Sequence, residues 1–240
     1  MLEKNVVNIF ENSFSPMKEL TLELGLSSSI VSLGQTTFYH FMKTVMIDEN
    51  VFSNYLRVIR SCSVKFHYQF IELSSVIATQ LAFDLDVTNR RKNVEQIVFA
   101  AMFCDITLRK SEWIHIRSPE QLKGLSGLII KEINMHALKA SELAFNSKFA
   151  PEDAWRIIRH HHADLNGLGF GKSVDENFCA MTKCLMTAQE IAYTILMNPG
   201  VSARALVADT VQKLSETELK DHAESFEGHC RSYYGKVASC

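Results

Sequence analysis

The sequence predicts an all-α fold, and three observations carry that prediction. Apolar residues recur at helical spacing through long windows, and no alternation of period two persists anywhere. Glycine and proline are scarce, 10 and 4 among 240 residues, while 47% of the chain is hydrophobic and 22% charged. This is too few turn-formers for a strand-dense fold and too much apolar surface for disorder. Helix-start signals are also present: Pro151-Glu152-Asp153 places a proline where no amide partner is needed and carboxylates at the positive end of the helix dipole.

Taken in order, residues 1–60 read as an N-terminal extension of short helices, with breaks expected at Ser13-Phe14-Ser15-Pro16, at Gly25 to Ser29 and at Asp48-Glu49-Asn50. Tyr39, Phe41, Met42, Val45 and Met46 form a helical stripe that reads as packing surface. Residues 61–240 form the main domain, with helices expected at about 64–85, 93–105, 129–146, 151–162 and 176–197, and shorter ones near 202–213 and 216–228. Asn166-Gly167 marks a turn. No internal repeat is present.

A formal net charge of −2 disfavours electrostatic capture of a nucleic acid polymer or an anionic membrane, so a phosphate ligand would need a local site. The six cysteines, at 62, 104, 179, 184, 230 and 240, form no C-x-x-C pair, and no basic-then-apolar segment opens the chain. Reduced thiols in a cytoplasm are expected. No apolar run reaches the roughly 20 residues that span a bilayer.

Several residues could carry chemistry. Ile97 to Cys104, IVFAAMFC, is apolar on every face and runs into Asp105. The carboxylate is therefore expected inside the protein, where it needs a metal, a cation or several donors; capping the next turn or meeting Arg109 is the plainer alternative. His136 lies on the inward face defined by Ile133, Ala137, Ala140, Leu143 and Ala144, as a core residue or as a ligand. Glu190, in CLMTAQEIAYTIL, is either exposed beside Gln189 or a metal-binding carboxylate. His160, His161 and His162 close a helix, where cations are favourable in any case. Neighbouring imidazoles point about 100° apart, so the doublet suits a helix end or a multi-metal cluster rather than one helical site.

In their order and spacing, the stretches CDITL (104–108), NMHALKASELA (134–144), HHADLNGLGFG (161–171) and TAQEIAYTIL (187–196) resemble the HD-GYP family, the helical branch of the HD phosphohydrolases that hydrolyses cyclic-di-GMP at a two- or three-metal centre. The family pattern is a histidine on an early helix, H-D-I-G-K, a later histidine, H-H-E-x-x-D-G-x-G-Y-P, and an aspartate on the next helix. The likeness covers about residues 64–200. It implies an HD-superfamily helical bundle carrying an N-terminal helical extension.

Carried over by position, the resemblance makes Asp105 the bridging carboxylate. His136, His161, His162 and Glu190 complete the metal shells, and His67 stands near the place of the early histidine. Cys104 replaces the histidine of the HD pair, though a thiolate can bind zinc or iron. Leu108 replaces a lysine expected to steady phosphate charge, and Arg109 could compensate only through a shift in backbone register. Ala163 replaces a glutamate. Asn166, Gly167, Gly169 and Phe170 stand in the ligand-binding signature, with Phe170 lacking the tyrosine hydroxyl and Gly171 replacing the proline.

An intact centre implies two divalent ions, iron, manganese or zinc, and cyclic dinucleotide hydrolysis in which Asp105 matters most. The concentration of losses at motif positions favours a degenerate descendant with one metal or none, acting as a nucleotide sensor or docking module. Residues 1–60 would be open to a protein partner or a second copy of the chain.

Overall fold

The computed structural model describes residues 2–45, 49–61, 65–85, 88–162, 179–217 and 219–234. Among them are ten α-helices and no strand: α1 (Leu2–Leu24), α2 (Ser28–Val45), α3 (Glu49–Ser61), α4 (Phe66–Leu85), α5 (Arg90–Phe103), α6 (Gly127–Asn146), α7 (Ala154–His160), α8 (Ala180–Met197), α9 (Ala203–Leu214) and α10 (Lys220–Tyr234). Two short 3-10 segments, Ser111–His115 and Pro119–Leu122, link α5 to α6. No described helix is long and apolar enough to cross a membrane.

The centre of the molecule is α4 packed against α8 and α5, with α7 and α2 lying on α5. The uniform apolarity of α5 explains its place, since Gln96 through Phe103 are all buried and no face is left for water. Several polar residues inside α4 find backbone carbonyls close by. Ser74 and Ser75 donate to the Ile71 carbonyl, Thr79 donates to that of Ser75, and Gln69 Nε2 donates to the Ile59 carbonyl at 2.6 Å. Of the 3-10 linker, His115 stacks on Phe66 at 3.9 Å between ring centroids, which docks that linker on the start of α4.

Helices α1 to α3 share this core, for Phe14, Met17, Ile30, Phe38 and Ile59 belong to the same apolar cluster as Phe99, Phe103 and Ile191. Gly34 permits the close approach of α2, because a Cβ there would stand 3.3 Å from Met102 Cε and 3.5 Å from both Met17 Sδ and a Phe103 ring carbon. Gly25, at φ 74°, ends α1 in the left-handed conformation that glycine adopts without a steric penalty.

Three sequence expectations shift. The break at Ser13–Pro16 does not occur, and α1 runs through Pro16. Pro16 and Asn12 are exposed, so water can serve the carbonyl that loses its amide partner, while Phe14 and Met17 hold the opposite face in the core. The helix expected from 151 begins at Ala154, because Asp153 takes a positive φ of 62° ahead of it. In the expected aromatic stripe Tyr39 faces solvent, and its neighbour Phe38 takes the buried place. The side chains of Phe41, Met42 and Val45, and all of Met46, lie outside what is described.

Candidate metal centre

Three segments build one buried cluster. Helix α5 ends at Phe103 and the chain turns tightly, with Ile106 N donating to the Phe103 carbonyl and Leu108 N to that of Asp105, which fixes Asp105 at the inner end of the helix. Helix α6 opens on a Ser126 N-cap and carries His136 inward. Helix α7 ends at His160, and His161 and His162 follow in the turn that closes it. Thr107 Oγ1 donates to the His136 carbonyl at 3.0 Å and so ties the α5 turn to α6 at the site.

Asp105 Oδ1 lies 3.3 Å from His136 Nε2, 3.6 Å from His161 Nε2 and 3.9 Å from His162 Nε2. One ligand atom from each of these four residues falls within 4.8 Å of all the others. The expectation that Asp105 and His136 lie inside holds, with 6% and 3% of their surface exposed.

His136 Nδ1 donates to the Ile133 carbonyl at 2.5 Å, and His161 Nδ1 donates to the Ile158 carbonyl at 2.7 Å. In the neutral ring this leaves Nε2 as a bare lone pair, and the two Nε2 atoms face each other at 3.3 Å beside Asp105 Oδ1. Oδ1 itself is buried with no hydrogen-bond partner. Burial holds His161 and His162 below the ordinary histidine range, despite the raising pull of Asp105. Burial pushes the Asp105 carboxyl up, whereas a positive charge at this point, on a ring N–H or on a bound cation, would hold it well below the usual carboxylate range. Converging lone pairs around an ionised, partnerless oxygen fit a divalent cation, with each backbone carbonyl fixing a ring tautomer as a supporting partner does in metal sites.

Other residues expected at the site stand differently. Cys104 is buried and its thiol donates to Asp105 Oδ2 at 3.5 Å; burial and the neighbouring carboxylate push its pKa well up, so it is a protonated thiol rather than a thiolate. Glu190 lies outside the four-residue cluster, its carboxylate paired with the Arg117 guanidinium, which also lies over the rings of Phe70 and Tyr193. Gln189 faces inward instead, donating to Cys104 Sγ at 3.6 Å while its Oε1 is buried without a partner. His67 is buried against the Tyr68 ring and near enough to Asp105 to feel its charge, yet it stands outside the cluster. Burial, with Lys18 and Lys65 nearby, lowers its pKa to about 4.

Leu108 is buried, and exposed Arg109 turns to Glu132, 3.8 Å away, so it brings no cation inward. Asn166, Gly167, Gly169 and Phe170 lie outside the described residues. The sequence reading did not single out Thr107, Arg117 or Gln189. Only Gln189 left a signal, as a polar residue within an apolar helix.

No known family model matches the chain, and no curated protein does so. Among solved structures, its fold is similar to that of Bd1817, a HDG"Y"P protein from Bdellovibrio bacteriovorus, with a TM-score of 0.65 and 13% identity over 95% of this chain and 70% of that one. The likeness therefore takes in the N-terminal helices as well as the bundle. The chain therefore shares the helical fold of that protein, and within it carries an Asp/His cluster that could hold a metal.

Proposed function

We propose that this chain is a degenerate HD-GYP-like protein of cyclic-di-GMP signalling. Asp105, His136, His161 and His162 would hold one divalent ion, iron, manganese or zinc. Phosphodiesterase activity is weakened or lost, leaving a cytoplasmic nucleotide sensor or docking module. One observation carries this reading: three imidazole Nε2 atoms converge around a buried acceptor oxygen, Asp105 Oδ1, that no protein group satisfies.

The surroundings support the loss of activity. A second ion would need ligands of its own, and the neighbouring candidates are a protonated thiol at Cys104 and a carboxylate already paired at Glu190. Leu108 supplies no charge to a phosphate. A bound ion would acidify a coordinated water and polarise a phosphoryl oxygen. Asp105 would anchor it, His136 and His161 would present fixed lone pairs, and the Cys104 thiol would steady the far carboxylate oxygen. The convergence of Asp105, His136, His161 and His162 also favours a second reading, an atypical active phosphodiesterase.

Elemental analysis of protein purified without oxygen, chelator or affinity tag should find about one equivalent of metal, and none in Asp105→Ala. At a hundredfold excess of metal over Kd, the wild type should gain about 2.7 kcal/mol of stability, a rise in Tm of roughly 5 to 11 °C that Asp105→Ala lacks. Calorimetry should then show cyclic-di-GMP binding without turnover. Two equivalents of metal together with turnover would establish the active reading, and absence of metal from the wild type would refute both.

A further inference from the structure

The centre receives no cation from the end of α5, since Leu108 is apolar and Arg109 is directed to Glu132. The N-terminal layer presents one. On α1, Phe14, Met17, Lys18 and Thr21 fall at i, i+3, i+4 and i+7, one face of the helix. Three of the four are at most 1% exposed and fix where that face points. The Phe14 ring meets Tyr68 edge-on at 6.1 Å between centroids, and Tyr68 in turn lies 3.7 Å from the His67 ring. Met17 reaches the packing contact among Gly34, Met102 and Phe103, next to Cys104 and Asp105.

Lys18 shares that inward face and is half-buried. Its ammonium lies within electrostatic reach of the carboxylates of Asp105 and Glu112 and of the His67 ring. Among the described residues no carboxylate comes within ion-pair distance of it. A lysine on the inward face of a helix, within electrostatic reach of the Asp105 carboxylate but not paired with it, is placed to receive an anion.

We infer that Lys18 of α1 supplies the cation that the Leu108 position lacks, binding a phosphate-bearing anion beside the Asp105, His136, His161 and His162 centre. This rests on the metal reading above and extends it: the N-terminal layer is part of the ligand site rather than an appendage to it.

Orthophosphate is the probe, titrated calorimetrically into the metal-loaded full chain of the wild type, Lys18→Met and Lys18→Arg, with metal content measured on each sample. Lys18→Met should keep its metal and its helical circular dichroism yet bind orthophosphate about tenfold or more weakly, and Lys18→Arg should recover most of the affinity. Lys18→Gln carries the same expectation should Lys18→Met not fold. Equal affinity in the wild type and the neutral variants, or a metal-loaded wild type that binds no orthophosphate, overturns the assignment of Lys18 and leaves the metal reading standing. A wild type without metal overturns the metal reading and this inference together.

Discussion

Acidification should destabilise the protein through His67 by an amount fixed by its surroundings. The imidazole is buried, and its pKa falls from 6.5 to about 4, chiefly by burial and then by the positive charges of Lys18 and Lys65. The folded pKa is depressed, so between those two values the unfolded chain binds the proton more readily, and stability present above pH 6.5 is lost as pH falls toward 4. Each unit is worth about 1.36 kcal/mol, so the loss is about 2 kcal/mol by pH 5 and about 3 kcal/mol by pH 4. This is a large part of the roughly 5 to 15 kcal/mol that holds a typical domain folded. Urea denaturation of the wild type and His67→Gln at pH steps from 7.5 to 4 isolates the effect, since groups common to both proteins cancel in the difference. The advantage of the wild type should shrink by about 3 kcal/mol over this range. Two stability curves that run parallel from pH 7.5 to 4 would refute the reasoning.

Two further substitutions probe the frame of the centre. Glu190→Ala should leave metal content unchanged, because the carboxylate lies on Arg117, but should cost about 3 kcal/mol by stranding a largely buried guanidinium; loss of the metal would contradict this placement. Phe103→Ala removes a side chain 1% exposed at the end of α5 and should cost about 3 to 5 kcal/mol in urea denaturation, whereas a loss below about 1 kcal/mol would mean that the site collapses around the gap.

Much of the fold was legible because burial leaves a compositional trace. Ile97 to Cys104 could not face water on any side, and the structure buries all eight. His136 sat in an inward helical pattern, and the structure turns it to Asp105. Where the sequence misled, the deciding contact came from elsewhere in the chain. Pro16 reads as a break until Phe14 and Met17 are seen to anchor α1 on both sides of it. Glu190 and Gln189 are neighbours about 100° apart on a helix, so spacing alone could not choose which faces the centre. The choice rests on Arg117, 73 residues away, which engages the glutamate. Lys18 left no signal, since a lysine in a helical stripe reads as an edge residue until the helix has something to face.

His136 and His161 each donate Nδ1 to a carbonyl three residues earlier in their own helical segment. That contact is local, so each ring surrenders its rotational freedom when its helix forms and not when an ion arrives. The cage is consequently sized in advance. With three imidazole nitrogens and one carboxylate oxygen as its candidate ligands, it favours ions that bond nitrogen and oxygen at about 2.0 to 2.2 Å. It disfavours calcium, which wants six to eight oxygens at about 2.3 to 2.6 Å and a ring of ligands able to move outward to meet it.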